Sequence, residues 1–362
     1  MTFDDIRPYT DAEVPTALQR IGTLDVLPQI IKFVYPQSDI KAETAKLMSV
    51  KTVEELQSTF MNDAIKRIIE STTDGFTFSG LNRLRRNGSY LFVSNHRDIT
   101  LDAFLLQHLL LEEKGKTSYI IFGENLLAMP AAADLFRCNK MIGMKRGGTP
   151  RAFYESLHHL SEYIHHIVTE EQQSVWIAQK NGRAKDGIDA TAPAIIKMLT
   201  LGSEAAPEQA LANLHIVPMS ISYEWDPCDR MKANELYLSR SGKYVKAADE
   251  DLTSVVTGIV GHKGHVHLNI GVPITPAELH PNDGTHIDVH VAQLLDKRIQ
   301  QGYRLHPSNF AAYDMLHNSN SNRRRYTNDT VRMLQQRLEL LPDNDRRTLL
   351  LQIYANPLAI KQ

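Results

Sequence analysis

Over the first 72 residues apolar side chains return every three or four positions, in DAEVPTALQRI, LPQIIKFVY and TVEELQSTFMNDAIKRII. That spacing predicts an N-terminal helical segment over residues 1–72. From Gly75 to about Pro276 the pattern changes: short apolar runs (SYLFVSN, SYIIFGE, SVWIAQ, LHIVPMSISYEW, HVHLNIGVPI) alternate with helical stretches (TLDAFLLQHLLLEE, RAFYESLHHLSEYIHHIV, APAIIKML). Strands separated by helices of this length predict an α/β unit, residues 73–286, with a mostly parallel central sheet covered by helices, because parallel neighbours need a long crossover. Residues 287–362 turn helical again and end in DTVRMLQQRLELL and DRRTLLLQIYANPLAI. The face of LPQIIKFVYP fits either a helix buried against the sheet or one lying on a membrane surface. The polar stretch HNSNSNRRRY, residues 317–326, reads as an exposed linker with solvated arginines.

Composition narrows the classes. The 362-residue chain is 42% hydrophobic and 23% charged, an ordinary globular balance with a core of ample size. Its net charge of −2 gives no pull toward nucleic acid, so any anion must be recognised by a local cluster of Lys and Arg. Two cysteines, Cys138 and Cys228, make neither a disulfide framework nor a thiolate metal site, and the expected compartment is the reducing cytoplasm. The acidic, proline-broken N-terminus lacks the form of a secretory signal. No run of about 18 apolar residues suggests a membrane span, so a lipid substrate would have to be met at the membrane face, with the protein peripheral to it.

The stretch VSNHRDITLD, Val93 to Asp102, carries the chemistry. His-Arg-Asp opens a protein-kinase catalytic loop, but a kinase needs an Asn five residues after Asp98, and Ala103 stands there. The Gly-rich phosphate loop, Asp-Phe-Gly, P-loop, dinucleotide fingerprint and Gly-x-Ser-x-Gly elbow are also missing. His96 instead falls in the turn between a strand at Tyr90–Val93 and a helix whose buried face is Leu101, Phe104, Leu105 and Leu109. Turns at the carboxyl ends of strands face the ligand crevice of open α/β sheets. There Asp102 can hold one ring nitrogen of His96 while the other takes a proton from a hydroxyl; Asp98 can cap the helix or reach the imidazole itself. Arg97, Lys145, Arg146, Lys180, Arg183 and Lys185 are six cations from three strand-end loops that would form an anion pocket if the loops converge, with Arg146 and Arg183 ranked above the lysines.

Four segments in chain order then resemble one family. SNHRDITLDAFLL is similar to the His-and-Asp motif of the glycerolipid acyltransferases, which include lysophosphatidate and glycerol-3-phosphate acyltransferases. NKMIGMKRGG, residues 139–148, resembles the second motif through Gly143 and Arg146; WIAQKNGRAKDG, residues 176–187, resembles the third, usually Pro-Glu-Gly-Thr-Arg; IVPMSI, residues 216–221, resembles the fourth through Pro218. The resemblance spans His96 to Ile221 and departs twice. Five residues, where the family usually has four, separate His96 from Asp102, and Asn181 occupies the usual Glu position while Gly182 and Arg183 remain.

The resemblance implies an O-acyltransferase of membrane lipid synthesis. His96 and Asp102 would be its catalytic pair, and Arg97, Lys145, Arg146, Lys180, Asn181, Gly182 and Arg183 would bind the acceptor's polar head. The co-substrate would be an acyl thioester of acyl carrier protein or coenzyme A, with no bound cofactor and no metal. The acceptor would be lysophosphatidate, glycerol-3-phosphate or, given Asn181, a lyso amino-acid lipid; a catalytically silent lipid-binding protein on the same scaffold is the other reading. The attack would be direct, with backbone N–H groups near the helix start receiving the oxyanion. His158, His159, His165 and His166 read as an ordinary helix, His262, His265 and His267 as strand residues rather than metal ligands, and Trp176 and Trp225 as core, with contact to the acyl chain the alternative.

Overall fold

The computed structural model describes residues 2–361 except 125–129, 146, 243, 248 and 282–283. Seven strands form one sheet: β1 (Gly75–Ser79), β2 (Leu91–Ser94), β3 (Tyr119–Gly123), β4 (Met141–Met144), β5 (Val175–Ala178), β6 (Val217–Tyr223) and β7 (His265–Ile270), in the order β1-β7-β6-β2-β5-β3-β4. Every neighbouring pair is parallel except β6 with β7, so the carboxyl ends of β6, β2, β5, β3 and β4 share one edge. The mostly parallel α/β architecture is therefore as the alternating pattern predicts. Runs such as Leu91–Ser94 and Val217–Tyr223 are buried along their whole length because helices cover both faces of the sheet.

The two faces seed two cores. Phe92, Trp176, Val217, Met219 and Ile221 pack with the helix Leu101–Lys114 and with the N-terminal helices Val14–Gly22, Leu27–Val34 and Asn62–Thr72. Leu91, Val93, Ile121, Ile142, Val175 and Ile177 pack on the other side with the helices Pro150–Thr169, Pro193–Leu201 and Ile287–Gly302. In LPQIIKFVYP, Leu27, Ile31 and Val34 are buried in the first core, which decides between the two uses open to that face. The C-terminal helices close a third cluster around Trp225 and Leu350. Residues 317–326 are surface chain, but not slack: Asn322 N, Asn322 Nδ2 and the Tyr326 hydroxyl all donate to Asp314 at 2.9–3.0 Å.

Three elements depart from the pattern. GFTFS forms edge strand β1, whose exposed Phe78 and paired Thr77 show no alternation of inward apolar residues. Strand β2 runs one residue later than the apolar run suggests, through Ser94. The helix Glu250–Val260 is built from EDLTSVVTGIV, where β-branched residues mask the helical period. Its inward face carries Ser254 and Gly258 and lies against the His96 loop, since a Cβ on Gly258 would sit 2.3 Å from Asp98 Oδ2.

Candidate active site

His96 stands two residues beyond β2, at the shared carboxyl edge, and its side chain is 15% exposed. Its Nδ1 lies 2.8 Å from Asp102 Oδ2. No hydrogen bond to Nε2 is formed among the described residues, and the ring lines a cavity. Trp176 meets the imidazole edge-on at 5.8 Å and is itself pinned by its indole N–H donating to Ser94 Oγ at 3.0 Å. Trp176 is thus both core and cavity wall.

Asp102 is fully buried in the first turn of its helix. Its Oδ2 also accepts the backbone N–H of Arg97 at 2.6 Å and of Asp98 at 3.0 Å; its Oδ1 accepts the hydroxyl of Tyr223 at 2.8 Å. Asp98 plays a different part, with Oδ1 accepting the N–H groups of Thr100 and Leu101, both at 2.9 Å, at the start of the helix. Burial pushes the Asp98 carboxyl above its ordinary pKa, with Asp102 adding to the rise. Asp102, not Asp98, therefore meets the imidazole. These bonds also correct the expected oxyanion site: the backbone donors of Arg97, Asp98, Thr100 and Leu101 are committed to the two aspartates.

The cavity beside His96 is apolar on one side, lined by Phe104, Ile120, Phe122, Phe136, Met141 and Trp176, and polar at its rim, with Lys180, Asn181, Gly182, Arg183, Lys185, Lys246 and Asp251. Arg183 donates one Nη to Ser254 Oγ at 3.1 Å, while its other Nη is buried without a partner. An unpaired buried guanidinium nitrogen is costly, and an anion is the partner it suits. Lys185 is paired with Glu235, and Lys246 with Asp251 at 2.6 Å. Gly182 has φ +79, a backbone that side-chain-bearing residues resist, so its glycine shapes the loop. The loop is tied to its neighbour by Ala184 N–H donating to His96 O at 2.7 Å.

Not all predicted residues converge. Arg97 is a correction: alternation past β2 turns it to the side away from His96, where it is buried, donates to Asp189 at 2.6 Å and to Gly187 O at 3.1 Å, and lies 5.3 Å from the Tyr303 ring. Lys145 is exposed and does not line the cavity. Arg146 lies outside the described residues. The sequence reading missed Tyr223, Ser254, Lys246 and Asp251. Tyr223 ends a buried strand just past the fourth motif and the other three come from a segment with no motif, so none of the four announced a role.

The remaining histidines have local partners. His159 meets Asp5 at 3.0 Å, His165 meets Leu199 O at 2.9 Å and His166 meets Glu170 at 2.9 Å. His267 sits between the Thr77 and Ser79 hydroxyls at 2.8 and 2.9 Å. His265 meets Glu224 at 2.8 Å; with Asp74 these two bring one potential ligand atom each within 4.8 Å, away from the His96 cavity.

A mostly parallel α/β sheet thus presents a carboxylate-held histidine beside an apolar cavity with a cationic rim. Within the chain, residues 75–222 match the family model described as Acyltransferase. Among solved structures the chain is similar to the 1-acyl-sn-glycerophosphate (LPA) acyltransferase PlsC from Thermotoga maritima, with a TM-score of 0.40 and 12% identity over 80% of this chain and 92% of that one. No curated protein matches the sequence. No helix among the described residues is long and apolar enough to cross a membrane.

Proposed function

We propose that the protein transfers a fatty acyl group from a thioester of acyl carrier protein or coenzyme A to the hydroxyl of lysophosphatidate or glycerol-3-phosphate at a membrane face. One observation carries the reading: His96 has Nδ1 fixed on buried Asp102 and Nε2 open to a cavity with a cationic rim. In this mechanism Asp102 keeps the imidazole in the tautomer with the proton on Nδ1, and Nε2 takes the proton of the acceptor hydroxyl as its oxygen attacks the thioester carbon. The tetrahedral intermediate collapses with cleavage of the C–S bond, and the imidazolium returns the proton to the departing thiolate. Arg183 holds the acceptor phosphate through its unpartnered nitrogen, Lys180 adds charge on the same loop, and the apolar wall takes the acyl chain. The buried cysteines have thiols that burial pushes up to about 12, far from a nucleophile's range.

The test is incubation of the purified protein with labelled acyl-carrier-protein and coenzyme A thioesters and a panel of lysophosphatidate, glycerol-3-phosphate and a lyso amino-acid lipid, read by mass spectrometry. The expected product is phosphatidate or lysophosphatidate, and His96→Ala should lower kcat by about 10²- to 10⁴-fold in a protein that stays folded. Saturable lysolipid binding with no turnover, or turnover that survives His96→Ala, overturns the reading. Product only from the lyso amino-acid lipid moves the acceptor to a carboxylate headgroup, which the Asn181 departure allows.

A further inference from the structure

The carboxylate of Asp102 is held at both oxygens. Oδ2 serves His96 and two backbone N–H groups, whereas Oδ1 has a single donor, the hydroxyl of Tyr223 at 2.8 Å. The end torsion of an aspartate is soft, so nothing in the residue itself fixes the plane of its carboxylate against the imidazole. The surroundings fix it. Asp98 cannot, since it spends its own carboxylate on Thr100 and Leu101. The geometry points to Tyr223 as a positioning residue for acyl transfer, which holds the Asp102 carboxylate from the oxygen opposite the two backbone donors, fixing its plane so that its contact with His96 Nδ1 is kept and Nε2 stays free for the substrate hydroxyl.

The inference rests on reading His96 as the general base. Its support is the division of labour in the Tyr223 side chain. The ring is buried at the carboxyl end of β6, and phenylalanine would fill the same space. Among the described residues the hydroxyl makes one hydrogen bond, to Asp102. Burial, and next the charge of Asp102, push its pKa well above the ordinary value, so it remains a donor. The other charged groups around the pair are Asp98, Asp226 and Arg183, and none of them donates to Oδ1. The turn between His96 and Asp102 presents Asp98 N–H to Oδ2, while Oδ1 meets Tyr223 at the end of β6.

Tyr223→Phe tests this. With an acyl thioester and lysophosphatidate, kcat should fall about 10- to 100-fold while KM stays within about twofold. The acidic limb of the pH–kcat profile should move up by about half a pH unit or more, because a carboxylate with one donor fewer binds the imidazolium more strongly. In the His96→Ala background the same change should cost nothing further, the mark of action through His96. Histidine titration by NMR of the labelled full chain reads the same rise at His96 without substrate. An unchanged kcat, a loss with the acidic limb and the His96 titration unmoved, or an equal loss without His96 overturns the proposal. A wild-type protein that transfers no acyl group sinks the functional reading instead, and the NMR shift still decides whether Tyr223 sets the His96–Asp102 contact.

Discussion

Arg97 and Asp189 form a buried ion pair, Nη2 to Oδ2 at 2.6 Å, that fastens the His96 loop to the loop following β5. Asn95 joins them, donating to the same Asp189 oxygen at 3.1 Å while its own oxygen accepts Ile221 N–H at 2.8 Å. Lys232 Nζ adds a bond to Arg97 O at 2.7 Å. The loops after β2 and β5 and strand β6 are thus held together by residues that do not line the cavity. Arg97 therefore lies in the scaffold behind the cavity and not on its lining.

Breaking that pair should therefore act on stability and not on acceptor affinity. Asp189→Asn removes the counter-charge of a buried guanidinium, a loss that typically costs about 3–5 kcal/mol. Urea unfolding should show a midpoint lowered accordingly, while KM for the acceptor in the folded fraction stays within about twofold. A variant of native stability with a raised KM would return Arg97 to the substrate.

Arg183 should behave in the opposite way. Its free Nη has no protein partner to lose, so Arg183→Ala gives up a charge-assisted bond to substrate worth about 1.5–3 kcal/mol, or roughly 10- to 100-fold in kcat/KM for a phosphate acceptor. Lys145→Ala, exposed and off the cavity, should change the same ratio by less than about twofold. Kinetics of the two variants side by side, with circular dichroism to verify folding, separate a binding cation from a solvated one.

Gly258 marks how closely the helix Glu250–Val260 covers the site. A methyl group there would come within 2.3 Å of Asp98 Oδ2, the carboxylate that caps the next helix and whose amide serves Asp102. Gly258→Ala ordinarily favours a helix, by about 1 kcal/mol, but here the overlap should dominate and destabilise by about 1–3 kcal/mol. Thermal melts give the sign directly. A more stable variant with unchanged kcat would mean that the helix can move off the His96 loop freely.

What could be read in the sequence follows from range. The sheet, its crossovers and the placing of His96 depend on local periodicity, and VSNHRDITLDAFLL carries strand, turn and helix signals within fourteen residues. The separation of Asp98 from Asp102 does not, because both are acids at a helix start and only coordinates show which faces the ring. Arg97 misled for a simpler reason: neighbours in an extended turn point to opposite sides, so the residue beside a site histidine faces the scaffold. Tyr223 and Ser254 are 127 and 158 positions from His96, and their meeting is a property of the β6 register and of the helix Glu250–Val260.

Acid should weaken the fold through His306. Its imidazole is buried, meets Ser222 Oγ at 3.1 Å, and burial, with Arg304 next, lowers its pKa to about 3. Arg304, His265 and His267 are the charged or titratable groups around it, and all three disfavour protonation. An unfolded chain binds the proton at about pH 6.5. Between that pH and about 3 the unfolded state therefore holds a proton that the folded state refuses, and stability falls as pH drops, by about 1.4 kcal/mol per unit from this group alone. His306→Gln keeps a polar side chain beside Ser222 but cannot titrate. Comparing urea unfolding at pH 7.5 and 5.0, the wild type should lose about 2 kcal/mol more than the variant, since 1.5 units of the window are crossed. Equal losses in the two proteins would mean that His306 takes up its proton within the fold, and the neutral buried imidazole would have to be abandoned.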